Sequence, residues 1–289
     1  MICMLWIMKE MNVYVTDSNT RKSISSFSKN LIIAHMQLLI KAFRFFFTIY
    51  AVLWFIVLLA VVFPLSLLAT FFGRIKGGNI IYRICMAWAD LWFPLIGIWH
   101  KNLYEQKMRK GQSYVFVANH ISYLDAALIP KILRQPVRPL GKVEIAKVPL
   151  FGFIYRNVIV TVDRSSAANR ANSVRLLKSV LNKGISIFVF PEGTFNDTGD
   201  PLKEFYDGAF RIAIEAGIPI KPVLFLDAYK RMPPDYLFSI NPGKSRAIFL
   251  EEIPVEGLTL KDAGHLKQQV YERMEAKLKT YGAAWITKD

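Results

Sequence analysis

The chain has 289 residues, 53% of them hydrophobic, and carries a formal net charge of +15. That length exceeds one ordinary domain and falls short of three, and a mean hydropathy of +0.28 is high for a purely soluble protein. The only cysteines, Cys3 and Cys85, lie far apart in apolar surroundings, which excludes a disulfide framework or a CxxC metal site and suits a reducing compartment.

Residues 1–40 read as a tail, poorly ordered or an artefact of start-site choice with Met36 as the real start, with a polar stretch "TDSNTRKSISSFSKN" and no motif. From Phe45 to Phe72 the chain runs 28 residues without a charge. About 20 apolar residues span a bilayer, so this run predicts a membrane segment, either a single span or a re-entrant hairpin bent at Pro64. Lys41 and Arg44 before it and Arg74, Lys76 and Arg83 after it are all basic, so flanking charge does not choose between the two. A second apolar stretch, "ICMAWADLWFPLIGIW", carries Trp88, Trp92 and Trp99 and suits either the headgroup interface or a buried core helix. Residues 41–100 are thus expected to form a membrane-associated helical region.

Beyond His100 the texture changes. Strands are predicted at 114–118, 158–162, 185–190, within 218–225 and at 247–251, each short and apolar. Helices are predicted at about 167–182, capped by Ser165 or Ser166, at 207–217 with a stop at Gly217, and at 261–280. Alternating strands and helices over residues 101–289 imply an α/β domain with a mostly parallel or mixed sheet flanked by helices. Between Lys131 and Lys183 there are eleven Lys or Arg against two acids, Glu144 and Asp163. Such a field attracts nucleic acid, anionic lipid or phosphorylated small molecules, or is simply a solvated basic face.

Four short stretches can carry chemistry. In "VANHISYLDAA" (117–127), His120 follows a strand directly and Asp125 comes five residues later. The imidazole can take a proton from a hydroxyl while the carboxylate orients it, or the stretch is a polar turn. "FVFPEGTFND" (188–197) brings Glu192, Gly193 and Thr194 to a strand end, as a pocket wall or an exposed turn. "VTVDR" (160–164) delivers Asp163 and Arg164 to another, where Arg164 suits a phosphate fork or a surface ion pair. "GIPIKPV" (217–223) shapes a strand entry. There is no GxSxG elbow, HExxH, Walker loop or GxGxxG, and "PGKS" at 242–245 has Phe238 where a Walker motif needs glycine.

Together these blocks resemble the glycerolipid acyltransferases of the lysophosphatidic acid acyltransferase type, over about residues 80–255. Asn119, His120, Ser122 and Asp125 match the family's NHxSxxD block, Phe190–Thr194 match FPEGT, and "IPIKPV" matches the proline-rich block. "VIVTVDR" resembles the second block, with Val158 where glycine is common, and "GKVEIAKVPLFG" resembles the lysine-bearing segment. The resemblance implies acyl transfer from a thioester, acyl-CoA or acyl-carrier protein, to the sn-2 hydroxyl of 1-acylglycerol-3-phosphate, giving phosphatidic acid. His120 and Asp125 would be catalytic; Lys142, Arg164, Glu192, Gly193 and Thr194 would bind substrate; Asn119, Ser122 and Asp163 would support them. No cofactor and no metal are implied. The partners are the donor, a lysophospholipid acceptor and an anionic membrane, with no nucleic acid, and the catalytic domain is expected on the cytoplasmic face.

One position departs from the family. Phe195 follows FPEGT where the family usually has Arg or Ser, the Arg being thought to hold the acceptor phosphate. The acceptor is therefore open to glycerol-3-phosphate, another lysophospholipid or a lyso amino-acid lipid. A thioesterase, and a membrane-anchored lipid- or nucleic-acid-binding protein, are the alternatives from other classes.

Overall fold

The computed structural model describes residues 18–162, 167–236 and 239–286, with side chains from residue 30 onward except those of 162–172. The chain divides into two compact units, residues 1–47 and 48–289. In the first, the described residues form one apolar helix with Leu38, Leu39 and Phe46 exposed. That helix, α1 (Ser18–Ala69), begins inside the stretch that reads as a polar tail and continues as one 52-residue element into the second unit.

The expected bend at Pro64 is not where the chain turns. The helix runs through Pro64 to Ala69, and the direction changes at a 3-10 turn, Thr70–Phe72. A proline removes one backbone donor, but neighbouring bonds carry a long helix past it. The next helix, α2 (Gly73–Leu95), packs back on the end of α1: the Tyr50 hydroxyl donates to Leu95 O at 3.0 Å and Trp92 Nε1 to Ala51 O at 3.0 Å. Phe55 meets Trp88 and Trp92 edge-on, with ring centroids 5.2 and 5.7 Å away. Trp92 is therefore a core residue, whereas Trp99 is 67% exposed.

The strands are β1 (Ile98–Tyr104), β2 (Val115–Ala118), β3 (Val137–Lys142), β4 (Val160–Val162), β5 (Ser186–Val189), β6 (Ile220–Phe225) and β7 (Gly243–Phe249). They form one seven-stranded sheet in the order β1-β7-β6-β2-β5-β3-β4. Every pairing is parallel except β6 with β7, so the α/β expectation holds with a mixed sheet. The helices α3 (Leu124–Ile132), α4 (Phe151–Val158), α5 (Ala167–Leu181), α6 (Gly208–Ala216), the short α7 (Ala228–Arg231) and α8 (Ala263–Thr280) connect or flank the strands. The expected cap at Ser165 or Ser166 lies outside the described residues.

The three central strands β6, β2 and β5 are buried along their whole length. Such strands are covered on both faces, which explains why they read as unbroken apolar runs rather than as alternation. Lys221, inside β6, is wholly buried, and its ammonium donates to Gln106 O at 2.9 Å and Gln106 Oε1 at 3.2 Å. That bond ties the β1–β2 connection to the amino end of the sheet, away from the carboxyl ends where the polar motifs collect. Two strands, β1 and β3, and helix α4 were not anticipated. β1 follows directly on a helix with only Ile96 and Gly97 between, and β3 contains Pro139 and Gly141, both poor strand formers.

Candidate active site

β2 ends at Ala118, and the next residues turn sharply into α3. Asn119 is buried and bridges to the end of β6: its amide nitrogen donates to Phe225 O at 3.1 Å and its oxygen accepts Phe225 N–H at 2.8 Å. This side chain continues the β2–β6 pairing by one residue and fixes where His120 leaves the sheet. His120 Nδ1 then lies 3.0 Å from Asp125 Oδ2. The same oxygen accepts the Ile121 and Ser122 N–H groups at 2.7 and 2.8 Å. Three donors on one oxygen pin a fully buried carboxylate in the first turn of α3, with the His120 side chain 19% exposed above it.

Ser122 is occupied differently. Its hydroxyl donates to Met232 O at 2.6 Å and accepts Leu124 N–H at 3.0 Å. It is buried and serves the turn, which leaves it poorly placed as a nucleophile.

The neighbouring strand β5 delivers the second block. Phe190 stacks on the His120 ring, centroids 4.0 Å apart and planes at 15°. Gly193 has φ +73°, a conformation that lets the "PEGT" turn reverse beneath the histidine. Glu192 is 2% exposed, and both its oxygens are taken by backbone donors: His120 N–H at 2.7 Å and Lys203 N–H at 3.0 Å. Asn196 N–H donates to His120 O at 2.8 Å, so the loop after β5 is stitched to the histidine from two sides. Burial raises the Glu192 carboxyl to about 7; the two backbone donors pull it down and the nearby Asp125 charge pushes it up.

Thr194 is exposed, 3.5 Å from the Lys203 ammonium, which itself pairs with Asp197 at 2.9 Å. Phe195 sits against both His120 (centroids 4.3 Å) and Tyr123 (4.7 Å) and forms an aromatic wall beside the imidazole. Lys142 is exposed at the carboxyl end of β3. Asp163 and Arg164, immediately after β4, lie outside the described residues.

A cavity of about 870 Å³ opens beside this group. His120, Gly193, Thr194, Phe195 and Lys142 line one part of it. The rest is mainly apolar, with side chains such as Phe55 and Leu59 of α1, Trp88 of α2, Leu124 of α3 and Ile154 of α4. That volume lies in the usual range for small-molecule and lipid sites, about 300–1,000 Å³. A long alkyl group fits such walls.

Sequence reasoning placed His120, Asp125, Asn119, Ser122, Lys142 and the Glu192–Thr194 turn, and the structure gathers all of them at the carboxyl ends of β2, β5 and β3. It missed Phe190 and Tyr123 as neighbours of the imidazole, and Phe55 and Trp88 as cavity walls. The first pair stood inside the quoted blocks. The second was absorbed into the apolar membrane pattern, because an acyl-lined wall and a lipid-facing surface have the same composition.

A strand-end histidine held by a buried carboxylate beside an apolar cavity can act as a general base toward an apolar substrate. A family model described as Acyltransferase matches residues 101–226. The 1-acyl-sn-glycerol-3-phosphate acyltransferase of Haemophilus influenzae is 27% identical over 199 residues, 68% of this chain and 80% of that protein. The acl-2 protein of Caenorhabditis elegans, which carries a provisional name of the same kind, is 31% identical over 209 residues, 71% of each. The crystal structure of the 1-acyl-sn-glycerophosphate (LPA) acyltransferase PlsC from Thermotoga maritima covers 86% of this chain and 100% of its own, with a TM-score of 0.70. At 22% identity that likeness speaks for the fold. The protein is an acyltransferase. It belongs to the 1-acyl-sn-glycerol-3-phosphate acyltransferase family.

Proposed function

We propose that the protein transfers a fatty acyl group from acyl-CoA or acyl-carrier protein to the sn-2 hydroxyl of 1-acylglycerol-3-phosphate, at a membrane that α1 enters. The observation that carries this reading is the His120–Asp125 pair, 3.0 Å apart, at the polar end of the apolar cavity. With Nδ1–H donated to Asp125, His120 Nε2 is the acceptor for the sn-2 hydroxyl proton. The alkoxide oxygen attacks the thioester carbonyl, the C–S bond breaks as the ester C–O bond is completed, and the imidazolium returns its proton to the departing thiolate. No acyl-enzyme, metal or cofactor takes part. A positioned general base contributes about 10²–10⁴-fold, and alignment of the two substrates supplies much of the rest.

Lys142 and Arg164 are the basic residues assigned to the acceptor phosphate, in keeping with the basic excess over residues 131–183. Gly193 and Thr194 border the acceptor position, and Glu192 holds the His120 backbone rather than facing substrate through a free oxygen. The long apolar helix, with an 18-residue window of mean hydropathy 2.8 that is 17% buried, supports membrane attachment. The catalytic domain is assigned to the cytoplasmic face, where acyl thioesters are available.

One observation favours a second acceptor. Phe195 and Tyr123 place an aromatic wall beside His120, and the two rings themselves offer a phosphate no cationic partner. A lysolipid with an uncharged or amino-acid headgroup fits such a wall. The deciding experiment is an acceptor panel on purified protein, with acyl-CoA and acyl-carrier protein as donors. Selective acylation of 1-acylglycerol-3-phosphate at sn-2 supports the first reading; preference for another lysolipid supports the second. Donor hydrolysis that no acceptor stimulates would overturn both.

A further inference from the structure

Between β3 and α4 the chain builds a projection that the reaction chemistry does not use. A 3-10 turn, Val143–Lys147, leads through Val148, Pro149 and Leu150 into α4. Ile145, Val148 and Leu150 are 38%, 48% and 52% exposed, and Lys147 is exposed among them. Leu150 has φ +59° and ψ −58°, and it is the one non-glycine residue with positive φ among the described residues. A leucine enters that region against its own Cβ, so the fold spends conformational strain to hold an apolar side chain outward.

The projection is firmly held. Gly152 N–H donates to Val148 O at 2.7 Å, and a Cβ on Gly152 would lie 2.3 Å from Ala146 O, so the turn closes on bare backbone. The Arg156 guanidinium donates to the same Ala146 carbonyl, and the Tyr155 hydroxyl donates to Lys142 O at 3.1 Å. It is also continuous with the apolar helix: Phe151 lies 6.2 Å from Phe55 and Phe153 lies 5.6 Å from Phe63, ring centre to ring centre. Phe71 and Phe72, at the end of α1, are 85% and 64% exposed. Ile145 and Phe151 also line the cavity, so the projection forms part of its rim.

We propose that the 143–150 projection is a lipid-inserting lip. Val148 and Leu150 enter the same leaflet as α1, Lys147 meets anionic headgroups, and the cavity rim is held within the leaflet so that the acceptor reaches it laterally. Rigid apolar tips beside a basic residue bind the bilayer interface, because apolar burial and headgroup attraction add. The lateral-entry consequence rests on the lysolipid acyltransferase reading; the insertion itself does not.

The test uses full-length protein in phosphatidylcholine–phosphatidylglycerol vesicles, with Cys3 and Cys85 changed to Ser. A nitroxide is attached at Leu150→Cys or, as a control on the exposed face of α8, at Glu272→Cys. The label at 150 should collide mainly with oxygen and be shielded from a water-soluble nickel chelate, with the reverse at 272. Equal nickel access at the two positions would overturn the proposal. In a second arm, Val148→Asp/Leu150→Asp should lower kcat/KM for acceptor in vesicles by about tenfold or more. The same variant should keep turnover of a short-chain, monomerically dissolved acceptor within about twofold. Unchanged vesicle activity, or equal loss with both acceptors, counts against the lip. Absence of transfer by the unmodified protein on either acceptor would instead sink the acyltransferase reading and leave the nitroxide result standing.

Discussion

His120 and Asp125 face each other across the turn from β2 into α3, Nδ1 3.0 Å from Oδ2, and that oxygen also accepts two backbone N–H groups of the turn itself. The carboxylate therefore sets both the ring orientation and the local backbone. His120→Ala should lower acyl transfer by about 10²–10⁴-fold while the protein stays folded and membrane-bound. Asp125→Asn should also reduce kcat, since a neutral amide can take the place of Oδ2 as acceptor but does not stabilise the imidazolium that forms on His120. Turnover of either variant close to that of the unmodified protein in washed membranes would rule out the mechanism.

Ser122 separates this mechanism from one with an enzyme nucleophile. Its hydroxyl is engaged by Met232 O and Leu124 N–H. Ser122→Ala should cost about 1–2 kcal/mol of stability and leave kcat within about tenfold of the unmodified value. A loss as deep as that of His120→Ala, with the thermal midpoint preserved, would point to a covalent acyl-serine instead.

Glu192 makes a prediction about pH. Burial raises its carboxyl from the ordinary value of 4.5 to about 7 in the folded protein. A raised pKa means the folded state holds the proton more tightly than the unfolded one. Its contribution to stability is full below about pH 4.5 and is lost as pH rises to about 7. Glu192→Gln removes the titration, so its thermal midpoint should vary less between pH 5 and 8 than that of the unmodified protein. Parallel midpoint curves for the two would refute the assignment.

Asn119 exchanges two hydrogen bonds with the Phe225 backbone at the end of β6. Asn119→Ala strands a buried N–H and a buried C=O, for about 2–4 kcal/mol of lost stability. For a chain of this size that lowers Tm by roughly 5–10 °C. A midpoint within measurement error of the unmodified protein would show that the bridge contributes nothing.

Much of the candidate site is legible in the linear chain because its polar blocks stand at strand ends. His120 follows "VFVA" by one asparagine, and Glu192 follows "IFVF" by one proline. Short buried strands are recognisable by composition, and parallel strands deliver their following residues to one edge of the sheet. The β1 and β3 strands were not legible. β1 joins the sheet only by pairing with β7, some 145 residues later, and that pairing leaves no local period. Pro64 misled for a related reason: local chemistry marks it as a breaker, but the helix is held on both sides of it.

The residues alone determined the α/β class, the order of the polar blocks and the apolar run ahead of them. These follow from composition and periodicity within a dozen neighbours. Only the tertiary structure decided what each polar group is bonded to. Glu192 reads as a pocket-wall carboxylate or an exposed turn residue, yet it is buried and held by the N–H of His120, 72 positions earlier, and by Lys203 N–H from its own loop. Phe55 reads as part of a membrane segment, and Trp88 as an interface or core residue, yet both wall the cavity. Hydrophobicity says that a side chain leaves water; the packing of α1 against α2 and α4 says where it goes.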